Sequence, residues 1–445
     1  MESSIRHADG GNLSAPSADE ISIAANASGS GTLILNNITE DTRASVQMYS
    51  KASTDQSADA ANWRWQYIGT PFNDVTDAMT NYYGSWLYLW NNGWNAVPKS
   101  APLEPFAGYC ITHPDGARTY SMTGTLATTA DQTITVPAEQ YMVIANSWTA
   151  PIQIDNFTDD DLKNLAAKTI YFFNTGSDPN QEGSVQPAGV TGDARWAAGT
   201  YVPVPIHAAP YSGDSTISAM QGFYVVGGVS EGSIHLDYDR LVRPQKTGQN
   251  IVSGPMHVRR RAAAADGEPN VLKLFVGGNR YDDRLILLER EDFTNGFDDG
   301  WDGDKWSGNS VAPALWTLRN DNTHEAVSAI PDFEGTIIGF QAGEDDEYTF
   351  RFDYSGEADA IYLLDTETKV YTRVLTGNTY TFTTADKAEH QRFVLTRSDA
   401  PQVATGVEPT SDSSLKGRAK KLLIEDKLYI LLNGMLYDAT GKLVR

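Results

Sequence analysis

The chain has 445 residues and carries 34 Lys and Arg against 57 Asp and Glu, which gives a formal net charge of -23. An acidic surface repels the phosphate backbone and anionic headgroups, so the composition argues against a nucleic-acid binder and an anionic-membrane binder. Cys110 is the only cysteine, which excludes an internal disulfide and a cysteine-based metal site. The length suggests about three domains at roughly 150 residues each.

Membrane and export segments are not evident in the sequence. No stretch approaches the roughly 18 consecutive apolar residues of a membrane-spanning helix. The first residues also lack the apolar region of a signal peptide. We therefore expect no transmembrane segment, and export has to be inferred from other features of the chain.

The first half of the chain predicts a lead-in followed by a large β module. Residues 1–30 are rich in Ser, Ala, Gly and Asn, which is typical of a mobile segment. Residues 31–243 alternate short apolar runs such as YMVIANSW and TIYFFNTG with turn-forming residues, which predicts strands of a sandwich or jelly roll. One helix is predicted here, with Thr158 as its cap, Asp159 to Asp161 in its first turn and Lys168 near its end.

The second half predicts a second β module and a small β tail. Residues 244–269 contain proline, glycine and a basic run and are assigned as a linker, as are residues 399–416. Between them, residues 270–398 show strand patterns such as EYTFRFDY, where aromatic and polar residues alternate. Residues 417–445 are too few to bury a core of their own. The predicted fold is all-β, with sandwich or jelly-roll modules in tandem and a small C-terminal β-meander.

The tail has the pattern of strands joined by a tight turn. Leu428–Leu432 and Met435–Tyr437 are separated by Asn433-Gly434, the pair best suited to a type I′ turn. A meander of this size is marginal alone, so it is expected to dock on a neighbour or to be handed to a receptor. The alternative, in which these strands complete the preceding sandwich, stays open.

About the last 175 residues resemble a β-sandwich module followed by a short C-terminal segment, in an order known from one class of exported proteins. The segments DRLILLEREDFTNGFDDGWDGDKW, TIIGFQAGEDDEYTFRFDY and RFVLTRS, in this order, are similar to the β-sandwich stalk module of exported Bacteroidota surface proteins. The tail, with its Asn-Gly turn and closing GKLVR, resembles the sorting-type C-terminal segment associated with type IX secretion. The resemblance implies an exported protein, at the cell surface or extracellular, whose tail contacts the secretion machinery.

The sequence carries no motif of a common catalytic site. The nucleophile elbow Gly-x-Ser-x-Gly, the zinc motif His-Glu-x-x-His and a phosphate-binding glycine loop are all missing. Cys110 lies three residues before His113, but the surrounding run FAGYCI is apolar and strand-like. We therefore interpret Cys110 as a buried structural thiol.

An acidic, glycine-rich stretch is the one candidate metal site. EDFTNGFDDGWDGDKW offers Asp298, Asp299, Asp302 and Asp304, and such oxygen ligands on a loop suit calcium. The stretch departs from the calcium-loop signature, because Gly300 occupies a ligand position and Asn309 stands where the bidentate Glu belongs. A solvated turn is the favoured interpretation of this stretch. No cofactor other than calcium is considered for the chain.

An aromatic strip is the candidate binding site. In SWLYLWNNGW, Trp86, Tyr88 and Trp90 alternate with leucines and share one face of a strand, as a sugar-stacking platform requires. Asn91 and Asn92 at the following turn are candidate partners for sugar hydroxyls. In the alternatives, both faces of the strand are covered within the sandwich, or the aromatic face belongs to the core and Leu87 and Leu89 face a neighbouring element.

Together these features favour a non-catalytic cell-surface or secreted protein. Its expected role is adhesion, with a glycan or a host surface protein as the partner. A hydrolase acting on glycans or proteins and a purely structural stalk stay open as alternatives.

Overall fold

The computed structural model describes the chain in two compact units. The first comprises Met1–Arg259 and Asp299–Asn309, and the second comprises Arg260–Asp298 and Ser310–Arg445. None of the helices in the described ranges has the length and apolar character that crossing a membrane requires. The described residues are 5–7, 21–26, 29–35, 37–38, 41–54, 63–176, 196–213, 215–242, 245–247, 250–252, 267–306, 308–356, 360–398, 420–424, 427–432, 435–438 and 444.

Up to residue 252 the described elements are nearly all short strands. Two α-helices of one turn each interrupt them, α1 (Ala78–Asn81) and α2 (Ala209–Ser212). The strands are β1 Ile5–His7, β2 Ser22–Ile23, β3 Ala25–Asn26, β4 Gly29–Ser30, β5 Leu33–Leu35, β6 Arg43–Ser50, β7 Gln66–Ile68, β8 Trp86–Trp90, β9 Trp94–Ala96, β10 Tyr109–Thr112, β11 Arg118–Thr125, β12 Asp131–Val136, β13 Tyr141–Ala145, β14 Ile152–Gln153, β15 Leu162–Lys163, β16 Thr169–Phe173, β17 Tyr201–Pro205, β18 Thr216–Ile217, β19 Gly222–Val226, β20 Gly232–Asp237, β21 Gln245–Thr247 and β22 Asn250–Val252.

The remaining strands follow from residue 270 onward. Of these, β25 lies in the segment 299–309 that belongs to the first unit. They are β23 Asn270–Gly277, β24 Asp282–Glu289, β25 Gly303–Asp304, β26 Ala314–Leu318, β27 His324–Ile330, β28 Ile337–Gln341, β29 Glu347–Ser355, β30 Tyr362–Asp365, β31 Tyr371–Arg373, β32 Thr379–Thr383, β33 Glu389–Thr396, β34 Lys420–Ile424, β35 Lys427–Leu432 and β36 Met435–Asp438. The all-β prediction is confirmed.

Two four-stranded sheets of the first unit position the candidate site. Their orders are β7-β10-β8-β9 and β13-β19-β16-β17, with antiparallel pairing throughout. Single bridges, Ile68 to Gln221 and Ala107 to Ile144, join them edge to edge. Gly108 permits this close approach, because a Cβ there would lie 2.5 Å from Val143. The two sheets therefore present one continuous surface on each side.

One side of this joined surface is the core of the first unit. The inward residues alternate along each strand and are fully or nearly fully buried, as period-two patterning requires. They include Ile68, Leu87, Ile111, Ile144, Ile170, Val204, Phe223 and Val225. The residues that lie between these inward positions along each strand point to the opposite side of the joined sheets.

Strands β23, β24 and β26 to β33 of the second unit form one near-closed, barrel-like sheet. The order is β31-β30-β33-β28-β26-β27-β24-β23-β29-β32, and within it β24 and β27 run parallel. Along β29, Tyr348, Phe350, Phe352 and Tyr354 are buried in the core, and the residues between them face outward, as the sequence pattern predicts. Alternation thus defines the buried face of β29, whereas β24 is buried at every position.

The C-terminal meander is a separate three-stranded sheet. Its order is β34-β35-β36, and among the described residues these strands pair with no other sheet. Leu432 pairs with Met435, which sets the register of the second hairpin. The predicted Asn433-Gly434 turn lies outside the described residues.

The helix predicted after Thr158 is wrong. The segment contains the strand Leu162–Lys163, which pairs with β20, and Asn164 adopts a left-handed φ of 51° that a helix does not allow. Asp161 is buried and its carboxylate accepts hydrogen bonds from the backbone N–H and hydroxyl of Thr158 at 2.7 and 2.6 Å. Tertiary pairing with β20 and this local turn override the helical composition.

Candidate aromatic binding face

The outer side of the joined sheets in the first unit is covered by aromatic rings. Each contributing strand places its rings there because its intervening residues point to the core. We call this surface the aromatic face and define it by Trp63, Trp65, Tyr67, Trp86, Tyr88, Trp90, Trp94, Tyr141, Tyr171, Phe173, Tyr201, Tyr224 and Trp306.

Four rings form the exposed end of the aromatic face. The ring of Trp63 lies 6.1 Å from those of both Trp65 and Trp86, and the ring of Trp65 meets Tyr88 edge-on at 5.5 Å. Trp86 is 50% exposed, and Trp63, Trp65 and Tyr88 beside it are half-buried. A ligand with an apolar side can therefore reach several ring faces at this end.

The middle of the aromatic face contains a group of tyrosine hydroxyls. The hydroxyls of Tyr67 and Tyr224 are 3.3 Å apart, and that of Tyr201 is hydrogen-bonded to them. Burial, together with the neighbouring hydroxyls, raises the pKa of Tyr67 and Tyr224 well above the ordinary value. These phenols therefore stay neutral at physiological pH and can both donate and accept hydrogen bonds.

Trp306 packs on the far end of the aromatic face. Its ring stacks on Tyr171 with the ring centres 3.9 Å apart and the planes 9° from parallel, and Tyr141 meets it edge-on at 5.3 Å. Tyr141 is 52% exposed. Trp306 comes from the segment 299–309, far along the chain from Tyr141 and Tyr171, so no local sequence pattern predicts that these rings meet.

The predicted aromatic strip lies on this face. Leu87 is 4% exposed and points to the core, whereas Trp86, Tyr88 and Trp90 point outward. Of the two predicted orientations, the structure has the leucines inside. The indole N–H of Trp90 donates to the backbone oxygen of Tyr141 at 3.0 Å, which fixes that ring against the second sheet.

The predicted polar partners lie at the turn after this strip. Asn91 and Asn92 are exposed, and Asn92 has a φ of 51° that makes the turn. The side-chain amide of Asn95 donates to the backbone oxygen of Asn91 at 2.9 Å and braces the turn. A role of both asparagines in binding stays a prediction.

Cys110 lies beneath the aromatic rings and is buried, as predicted. Burial raises the pKa of its thiol well above the ordinary value. His113 contacts the guanidinium of Arg118, and burial followed by that positive charge lowers its pKa. Because it is buried, the Cys110 thiol stays in its neutral, unreactive form.

The four predicted calcium ligands have separate surroundings. The carboxylate of Asp298 accepts from the backbone N–H and hydroxyl of Thr294, and Asp299 pairs with Lys168 at 3.0 Å. Asp302 is buried and Asp304 is half-buried. Among the described residues, no group of three or more acidic, histidine or cysteine side chains could hold a metal ion. Calcium binding here stays a prediction.

Comparison with known proteins gives a family and a relative. A family described as Domain of unknown function (DUF8693) matches residues 30–396, which is most of the chain. The chain belongs to this family. It is also 27% identical to the minor fimbrium subunit Mfa5 of Porphyromonas gingivalis over 444 residues, covering 93% of this chain and 34% of the relative. The chain thus spans about a third of that relative's length. No solved structure matches it.

Proposed function

We propose that this chain is a non-catalytic subunit of the bacterial cell surface that binds a carbohydrate chain through the aromatic face. The surface location is supported by the similarity to a minor fimbrium subunit of Porphyromonas gingivalis. The binding role is supported by the aromatic face itself, which is built into a rigid sheet of the first unit.

The single observation that supports a carbohydrate is the row of partly exposed rings at one end of the aromatic face, next to the exposed turn of Asn91 and Asn92. Ring faces such as Trp86 attract the C–H side of a pyranose through dispersion. The exposed side-chain amides of Asn91 and Asn92 at the following turn match sugar hydroxyls, because each amide can both donate and accept. The net charge of -23 makes a neutral glycan a better partner than an anionic one.

Binding to a panel of immobilised glycans tests this role. Trp86→Ala and Trp90→Ala should each weaken the signal about tenfold or more, because each removes a stacking surface of the kind that is worth about 1.5 kcal/mol. Tyr83→Ala is the matched control, since Tyr83 is 79% exposed and lies outside the aromatic face. Equal binding by wild type and both tryptophan variants would overturn the proposal. Specific binding to host proteins in place of glycans would overturn the choice of ligand.

We also propose that the C-terminal meander directs export through a type IX-like secretion machinery. This proposal is supported by the sequence resemblance of the tail and by the separate sheet that β34, β35 and β36 form. Deletion of residues 417–445 should abolish surface display in cells that have such machinery, while the intracellular amount persists. Undiminished display of the truncated chain would contradict it.

A further inference from the structure

A cleft opens in the second unit where one strand changes partners. The start of β27 pairs with β26, through His324 and Glu325, and the later part of β27 pairs with β24 instead. The cleft of about 390 Å³ lies beside this part of β27 and is lined by residues 294–296, 317–320, 325, 328–330 and 335–337. Small-molecule sites in proteins typically fall between about 300 and 1,000 Å³.

Uncharged polar side chains are the largest group in the lining of the cleft, beside four apolar residues and one pair of opposite charges. Hydroxyls come from Thr294, Thr317, Ser328 and Thr336, and amides from Asn295 and Asn320. The backbone of Gly296 forms part of the loop that bounds one side. Such a lining suits a ligand that offers many hydroxyls.

The charges at the cleft are already neutralised by each other. The guanidinium of Arg319 pairs with Glu325 at 3.3 Å and with Asp321 at 3.2 Å, and it lies over the ring of Phe297 at 4.9 Å. The hydroxyl of Ser328 donates to the second carboxylate oxygen of Glu325 at 2.7 Å. A free anion would meet two carboxylates here, and a free cation would meet the arginine, so a neutral ligand is favoured.

Thr317 leaves a hydrogen-bonding group unused at the cleft. It is 3% exposed, and its side-chain hydroxyl has no hydrogen-bond partner among the described residues. Its cross-strand partner is Glu325, so the two side chains lie on the same face of the sheet. A buried hydroxyl without a partner is unfavourable, and a ligand hydroxyl in the cleft would correct this by donating or accepting.

We propose that this cleft binds a single neutral sugar residue, as a second site distinct from the aromatic face. The hydroxyl of Thr317 supplies a polar contact to the sugar, and the carboxylate of Glu325 stays paired with Arg319 and Ser328. The site lies wholly within the second unit, so binding there can be tested independently of binding to the aromatic face.

The test uses saturation-transfer NMR on the full chain with the methyl glycosides of galactose, mannose, fucose and N-acetylglucosamine. The chain carries Trp86→Ala and Trp90→Ala, so that the aromatic face contributes little signal. At least one glycoside should bind. Thr317→Val should weaken its Kd about fivefold, since it removes one hydrogen bond and little volume. Thr381→Val is the control, because Thr381 is an exposed threonine of the same unit that does not line the cleft.

A second variant blocks the cleft without relying on Thr317. A Cβ at Gly296 would meet only the hydroxyl of Thr294, at 3.4 Å, so Gly296→Phe adds a ring without crowding the loop. This variant should lose the signal and keep the thermal midpoint of the parent. No binding of any glycoside, binding unaffected by both variants, or preference for sialic acid or glucosamine over the neutral sugars would each overturn the proposal.

Discussion

Replacing Asp365 by alanine tests how the charges buried in the second unit are held. Asp365 and Arg392 are 1% and 7% exposed, and the guanidinium donates from Nε and Nη2 to the two carboxylate oxygens at 2.9 and 2.6 Å. The hydroxyl of Tyr380 and the backbone N–H of Glu367 donate to the same carboxylate. The substitution would leave the buried Arg392 charge with Glu367 as its remaining charged partner, 2.7 Å from Nη1 and 54% exposed. Removing one partner of a buried pair costs about 3–5 kcal/mol, and an exposed carboxylate such as Glu367 contributes at most about 1 kcal/mol in return.

Hydrogen exchange measured by mass spectrometry provides the local readout for this variant. Peptides covering β30 and β33 should show a free energy of opening lower by about 3–5 kcal/mol, while peptides of the first unit stay unchanged. Glu344→Ala is the control, because the pair of Arg280 and Glu344 is 52% and 40% exposed and should contribute at most about 1 kcal/mol. If the two variants lose equal stability, the argument from burial is refuted.

The same carboxylate gives a pH dependence with a defined sign. Burial disfavours the charged form of Asp365, but the hydrogen bonds from Arg392, Tyr380 and Glu367 outweigh it and lower the pKa of Asp365. Its stabilising contribution is therefore complete above the unfolded pKa of about 3.9 and is lost as the pH falls toward the folded value. Asp365→Ala should lack this component of acid destabilisation.

Two further predictions concern the first unit. His235 lies between Asp161 at 2.9 Å and Asp131 at 2.6 Å, and its hydrogen bond to Asp161 is the main reason that its pKa is raised. The stabilisation from His235 is therefore complete below its unfolded pKa of about 6.5 and is lost as the pH rises through its folded pKa. Urea titrations across this pH range measure the change, and the His235→Gln variant should not show this fall in stability with rising pH. Leu87→Ala should lower the free energy of unfolding by about 2–5 kcal/mol, because Leu87 is in the core; a change under 0.5 kcal/mol would contradict the inward orientation of the leucines.

Strand alternation is local, and for that reason much of the fold could be predicted. The spacing of Tyr348, Phe350, Phe352 and Tyr354 predicts one buried face, and β29 has it. The spacing of Trp86, Tyr88 and Trp90 likewise predicts that these rings share one side of a strand. Period-two patterning predicts which residues share one side of a strand, but it does not predict which of the two sides faces the core.

The all-β class, the acidic charge and the shared face of the aromatic strip could be predicted from the sequence, because each depends on composition or on neighbours along the chain. The inward orientation of the leucines, the stacking of Trp306 on Tyr171 and the absence of a helix in residues 158–168 became known from the folded chain. These outcomes depend on which strands pair and on contacts across more than 100 residues of sequence, as between Trp306 and Tyr171. No local pattern encodes such contacts.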